Sequence, residues 1–195
     1  MMTLSPEPRE SEPVAGPADA ARDDAAAIRA TLAGDRRAFD DIMNAYGRRV
    51  YQYLHQMTRQ KQDAEDLAQQ TFIKAYQHLD RFDLNRPLIN WLLTIARRTA
   101  LNYFRDTKKW EAMPADPASH DPSPAQQAEH RDRTDNLWDR ARALLSARDF
   151  EILWLRFGED LSIQETARVV GLTETHVKVL VFRARRTLLK GASRA

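Results

Sequence analysis

Apolar residues recur at intervals of three and four through most of this chain, and no stretch alternates as a half-buried strand would, so the pattern predicts helices. Asp24 can cap a first short helix with Ile28 and Leu32 turned inward, and Gly34 closes it. Asp35 caps a long helix on which Phe39, Ile42, Tyr46, Val50, Tyr53 and Met57 form one stripe, and aromatics at that spacing read as core. Asp63 opens the next helix, DAEDLAQQTFIKAYQHL, with Leu67, Thr71, Ala75 and Leu79 inward and Asp66, Gln69, Gln70 and Lys74 on a polar side. After a loop, Asp80 to Arg86, Pro87 falls in the first turn of a further helix, where its missing N–H costs nothing. There Leu88, Trp91, Leu92, Ile95 and Thr99 make the buried stripe, and Arg98, Asn102, Arg105 and Lys109 align on a second face.

The periodicity fails in two places. Met1 to Asp23 is rich in Pro, Glu and Ala and reads as a disordered tail. The segment from Glu111 carries prolines at 114, 117, 122 and 124 and a net negative charge, which marks a flexible linker. The chain therefore divides into a tail (1–23), an N-terminal domain (24–110), a linker (111–134) and a C-terminal domain (135–190). If the tail and linker are open to protease, limited digestion should leave two stable fragments.

The C-terminal domain opens with a helix around Leu137 to Leu145. Ser146 then caps a helix over Ala147 to Phe157, with Phe150, Leu153, Trp154 and Phe157 as core and Gly158 as its end. Beyond it Ser162 and Glu165 can form a capping box, and Ile163, Ala167 and Val170 lie on one side of a short helix. Gly171 ends that helix, because a residue without a Cβ enters the left-handed conformation cheaply. Thr173 caps a longer one with Val177, Leu180 or Val181, Ala184 and Leu188 at helical spacing. Two helices joined by a short glycine-containing turn are the helix-turn-helix pattern.

Composition sharpens this picture. In 195 residues there are six glycines and no cysteine, which favours an all-α fold and removes disulfides and thiolate metal sites. No apolar run approaches the ~20 residues of a membrane span, and the N-terminus lacks the apolar core of a signal peptide, so the expected setting is cytoplasmic, with no membrane partner. The five histidines are scattered, with no i, i+4 pair beside a Glu, and no phosphate-cradling loop or nucleophile elbow is present, which argues against an enzyme, a metal or a cofactor.

The net charge is only +2, but it is segregated. Ile95 to Trp110 holds five bases against one acid, and from His176 the last helix is basic with no acid. Such patches indicate a polyanion partner. On the last helix Thr175, His176, Val179 and Phe182 fall near one side with Lys178 and Arg183 flanking, as a recognition helix in a major groove requires. Val179 could pack on a thymine methyl, Arg183 could grip guanine, and Lys178 could meet guanine or phosphate. Arg98 and its neighbours suit phosphate, and Asn102 a base edge. The acids at the start of the DAEDL helix complement its dipole, but the glutamines beside Asp66 are better explained by a protein-docking face.

These stretches together, DAEDLAQQTFIKAYQHLDRFD, WLLTIARRTALNYFR, LLSARDFEILWLRF and the helix-turn-helix, resemble an extracytoplasmic-function sigma factor of bacterial RNA polymerase. The resemblance covers nearly everything outside the tail and linker. It implies two small helical domains that tether core polymerase to promoter DNA. Asp66, Gln69 and Gln70 would dock on the polymerase clamp. Asn85, Arg86, Arg98, Asn102, Arg105 and Lys109 would meet the −10 element, and Thr175, His176, Lys178, Val179, Phe182 and Arg183 the −35 element. The acidic linker would run toward the RNA exit channel.

No cofactor is implied, and control by an anti-sigma factor from outside the chain is admitted. The sequence departs from the family pattern at Arg98 and Asn102, where Asn and Asp are usual, and over Thr175 to Leu180, where Gly-Thr-Val-Lys-Ser-Arg is usual. The competing function is a stand-alone helix-turn-helix regulator.

Overall fold

In a computed structural model, residues 17–107 and 137–192 are described, and among them there are helices and turns but no strand. Helix α1 (Pro17–Leu32) starts earlier than the apolar pattern suggests. Its first residue is a proline, whose fixed φ suits the first helical position. Asp24 therefore lies inside α1 rather than at its cap, and its carboxylate accepts a 2.6 Å hydrogen bond from the Tyr46 hydroxyl. Burial of Asp24 raises its pKa, against the lowering effect of that bond. Residues 17–23 of the expected tail are thus helical, and residues 1–16 lie outside the described residues, as does the 111–134 linker.

Gly34, at φ +103°, turns the chain into α2 (Arg36–Thr58), where Asp35 accepts from the Arg37 N–H as an N-cap. The stripe on α2 is buried as its spacing requires, save that Tyr46 is half-buried. Helix α3 (Lys61–Gln77) follows and begins before Asp63, with Gln60 at the N-cap position making no side-chain bond. A 3₁₀ turn (Leu79–Arg81) and a loop lead to α4 (Leu88–Thr107), which starts one residue after Pro87. Phe39 meets Phe72 and Tyr76 edge-on at ring distances of 6.4 and 5.1 Å, closing α2 against α3.

In the C-terminal half, a helix whose described part spans 137–144 (α5) precedes α6 (Ala147–Leu153), with Ser146 capping Asp149. Helix α6 runs on into a π-turn, Trp154–Gly158, whose wider ring is closed by the Glu159 N–H on the Trp154 carbonyl. The added residue carries Phe157 out of register, and it stands 55% exposed instead of in the core. Nor does Gly158 act as a left-handed stop. A Cβ there would lie 2.9 Å from the Trp154 ring, so this glycine is needed for clearance, and Asp160 carries the positive φ of 55°. Helices α7 (Ile163–Val170) and α8 (Glu174–Ala192) complete the helix-turn-helix.

The two halves share one core. Ile152, Leu155, Val169, Val170, Val177 and Leu180 belong to the same continuous cluster of buried apolar side chains as Val50, Leu54, Leu92 and Ala96. Helix α7 packs on α4 and α6 on α2. Each half shields apolar surface of the other, so cutting the linker need not part them. Cleaved halves should remain associated.

Candidate functional site

Three exposed faces carry the candidate residues. On α3, Asp66, Gln69 and Gln70 are all exposed, while Leu67, Thr71 and Ala75 on the opposite side are buried. The Thr71 hydroxyl is satisfied by donating to the Leu67 carbonyl at 2.7 Å. Lys74 does not join the exposed row. Its ammonium donates to the Thr99 hydroxyl at 3.1 Å and so ties α3 to α4.

The second face begins in the loop before α4. Asp83, which the sequence reading passed over, organises it as an Asx turn. Its Oδ1 accepts from the Asn85 N–H at 3.1 Å and the Asn85 side-chain amide at 3.0 Å, and its Oδ2 pairs with Arg86 at 3.0 Å. Those bonds, led by the Asn85 N–H, hold the Asp83 carboxyl below its ordinary pKa. Asn85 and Arg86 are thus presented outward in a shaped turn. An Asp two residues before an Asn in a polar loop was the available signal.

Along α4, Arg98, Asn102 and Arg105 are exposed in one row, and Arg105 lies 3.4 Å from Asp106 in an open, weak pairing. Lys109 lies outside the described residues. Arg97, next to Arg98 but one helical step around, points the other way, onto the C-terminal half.

The third face is α8. The capping box at Ser162 and Glu165 is formed in both directions, Gly171 adopts φ +69°, and the Thr173 hydroxyl accepts from the His176 N–H at 3.3 Å. These local bonds fix the angle at which α8 leaves the turn. Val177, Leu180 and Ala184 point inward and are buried, and between Leu180 and Val181 it is Leu180 that fills the core. Thr175, His176, Lys178, Val179, Phe182 and Arg183 are exposed, with Val179 at 57% and Phe182 at 68%. A core role for Val179 and Phe182 is thereby removed. Arg183 is less free than its position suggests, because its Nη2 donates to both Asp149 oxygens, at 2.8 and 3.0 Å. The pair anchors the guanidinium against α6.

Between the halves lies a set of polar ties. The Glu151 carboxylate accepts from the Tyr53 hydroxyl at 2.7 Å and from Arg97 Nε at 2.7 Å. Glu159 accepts from Arg49 Nε at 3.0 Å, and Arg49 Nη2 also donates to the Glu159 carbonyl. Glu165, beyond its capping work, accepts from the Asn90 amide at 2.8 Å. Arg142 of α5 donates to the Gln56 backbone carbonyl and side chain while its guanidinium lies 3.8 Å from the Phe150 ring centre.

The electrostatics follow from burial. Tyr53 is pushed well above its usual 10, first by burial and then by the Glu151 charge. Burial raises Glu159, with Arg49 opposing, and brings Arg142 down to about 10, with Arg59 adding to the fall. For Glu165 burial acts upward, but the bonds from Ser162 and Asn90 prevail and its pKa falls.

Among the described residues no group of three or more His, Asp or Glu side chains could hold a metal ion, and no helix is long and apolar enough to cross a membrane.

Comparison with known proteins places these faces in one family. The family described as Sigma-70 region 2 matches residues 42–110, and Sigma-70, region 4 matches residues 136–188. The ECF RNA polymerase sigma factor SigM of Bacillus subtilis is 30% identical over 150 residues, covering 76% of this chain and 91% of its own. The chain belongs to the ECF sigma factors.

The ECF RNA polymerase sigma factor BldN of Streptomyces coelicolor is 32% identical over 165 residues, 81% of this chain but 61% of its own length. This sigma factor also shares its fold with CnrH, solved in complex with the cytosolic domain of CnrY. That match has a TM-score of 0.63 at 23% identity, over 90% of this chain and 99% of the other. The sigma factor RpoE of Bartonella quintana, solved with the anti-sigma factor NepR, matches at a TM-score of 0.62 and 24% identity, over 78% and 94% of the two chains. Region 2 holds the exposed rows of α3 and α4, and region 4 holds α8.

Proposed function

We propose that this chain is an alternative sigma factor that binds core RNA polymerase and directs it to promoters. The N-terminal domain (24–110) docks and engages the −10 element, and the C-terminal domain (135–190) reads the −35 element. The observation that carries this reading is the pairing of regions 2 and 4 in one chain, each presenting an exposed polar or basic face over a buried apolar one. A stand-alone helix-turn-helix regulator has no use for a region 2, and its mode of action would leave the α3 face idle.

In this reading Asp66, Gln69 and Gln70 contact polymerase. Asn85, Arg86, Arg98, Asn102, Arg105 and Lys109 lie along the −10 DNA, and Thr175, His176, Lys178, Val179, Phe182 and Arg183 along the −35 DNA. The protein works by binding rather than catalysis, in the cytoplasm where polymerase and promoter are. It is open to restraint by an anti-sigma factor. Comigration with core polymerase tests it against the regulator.

Two consequences concern the DNA faces. Arg98 adds a cation where the family usually has Asn, and its row is exposed, so it is assigned to backbone contact. Arg98→Ala should weaken binding across all sequences alike and flatten the slope of log affinity against log salt by about one phosphate contact. A change confined to one base position would make Arg98 a base reader instead.

Val179, exposed and unable to donate a hydrogen bond, is assigned to a thymine methyl. Val179→Ser should leave stability within about 0.5 kcal/mol of the parent, as surface changes do. It should also weaken thymine preference at one upstream position by about 1 kcal/mol, read from binding to a set of single-base variants of the site.

A further inference from the structure

Among the described residues, Arg183 is the cation of α8 that an acid holds. Its Nη2 donates to both oxygens of Asp149, at 2.8 and 3.0 Å. Lys178, Arg185, Arg186 and Lys190 stand exposed, with no acid paired to them among those residues. The two partners differ in environment. The Asp149 side chain is only 10% exposed and that of Arg183 59%. The acid is seated in the protein, and the guanidinium reaches from it toward solvent.

The seat is made locally. Ser146 caps α6 by accepting from the Asp149 N–H at 3.2 Å, which fixes the backbone of the first turn. Phe150, Ile152 and Leu153 beside it are buried, and α6 packs on α8. An acid in a first turn also complements the helix dipole, but an exposed side chain would serve that plain role. It does not account for a buried carboxylate paired with a residue 34 positions away.

Burial decides how the pair behaves at DNA. A carboxylate held out of water is costly once its partner leaves, so Arg183 stays with Asp149 when DNA arrives. The guanidinium is planar with five N–H donors, and holding Nη2 sets its plane and reach in advance. A free arginine gives up rotamer freedom at an interface, whereas one already held has little left to lose. Arg183 lies one turn beyond Val179, on the face assigned to the −35 element. A cation that meets phosphate carries no sequence information and needs no such support. An arginine that must meet O6 and N7 of one guanine does need it.

We propose that Asp149 is a positioning residue for base reading, holding Arg183 at the angle from which its guanidinium selects guanine. The proposal rests on the assignment of α8 to the −35 element, which the parent arm of its test examines separately.

In the experiment, core polymerase is loaded with the full-length chain or a variant. Each holoenzyme is then incubated with duplexes carrying a random window that spans both elements. Sequencing the retained duplexes gives base preference position by position. The variants are Asp149→Asn, which keeps the shape and removes the charge, Arg183→Ala, and the two combined. Far-UV circular dichroism reports folding.

The parent should prefer guanine at one upstream position, and Arg183→Ala should remove that preference. Asp149→Asn should lower it about fivefold there and change other upstream positions by less than about twofold. The double variant should match Arg183→Ala, because two residues acting through one contact are not additive. Retention of duplexes that lack the element should not fall, since an acid near DNA has been removed. If Asp149→Asn loses helicity, Asp149→Glu serves. It keeps the charge, shifts the guanidinium by one methylene, and should lower the preference about twofold at that position.

Equal loss at every upstream position would make Asp149 a structural residue and overturn the proposal. So would an unchanged guanine preference, additive losses in the double variant, or an Arg183→Ala holoenzyme that keeps the parent's preference. Each of these leaves α8 on the −35 element. A parent holoenzyme that selects no upstream element overturns that assignment and the proposal together.

Discussion

Leu155→Ala is expected to lower the melting midpoint of the whole chain rather than that of its C-terminal half. Leu155 is fully buried and belongs to the apolar cluster that runs from α2 and α4 into α6, α7 and α8. Truncating a buried leucine costs about 2–5 kcal/mol, the transfer of the lost methyls plus the cavity they leave. In a chain of this size that corresponds to roughly 4–20 °C. Because the halves share the cluster, the free protein should unfold in one cooperative transition, followed equally by near- and far-UV circular dichroism. Two resolved transitions, only the upper or the lower of which moves with Leu155→Ala, would mean the halves melt independently. Cooperativity in the free protein is compatible with opening on promoter DNA, since the free energy of binding polymerase and DNA is then available to separate the domains.

The second large effect belongs to the α3 face. Simultaneous replacement of Asp66, Gln69 and Gln70 by Ala should weaken binding to core polymerase by about 2–4 kcal/mol, or roughly 30- to 1000-fold, if the three include the hot spots of a docking surface. The same change should leave helicity intact. All three side chains are exposed, the residues beneath them are buried regardless, and alanine is a strong helix former. Core-polymerase affinity measured beside the helical signal separates loss of a surface from loss of a fold. Unchanged affinity would move the docking face elsewhere on region 2.

How far the sequence anticipated this molecule depended on distance along the chain. The capping box at Ser162 and Glu165, the left-handed Gly171, the Thr173 cap and the Asp35 cap are each made within a few residues, and each was readable from spacing alone. So were Val177 and Ala184 as inward positions, whereas the choice of Leu180 over Val181 and the exposure of Val179 and Phe182 are decided by the packing of α8 on its neighbours. What failed had a cause outside the local pattern. Phe157 was placed in the core by a 3.6-residue period that the π-turn at Trp154–Gly158 breaks. The start of α1 was missed because Pro17 was read with the prolines of the tail, and Asp24 looked like a cap because its partner, Tyr46, lies on the next helix.

Arg97 and Glu151 drew no attention for the same reason. They meet across 54 residues of sequence, and nothing near either one shows that it is paired. Glu165 shows both regimes at once, since its bond to Ser162 was legible and its bond to Asn90 was not.

The central claim, that this chain gives core polymerase its choice of promoter, is tested most directly by transcription reconstituted from purified core enzyme, this protein and a library of promoter fragments. The account predicts discrete transcripts from a subset of fragments sharing an upstream and a downstream element, absent without the protein and abolished by the Asp66, Gln69 and Gln70 triple replacement. A protein that binds DNA fragments alone yet yields no transcript with core enzyme, and does not comigrate with it, would contradict the account and return the chain to the class of stand-alone regulators.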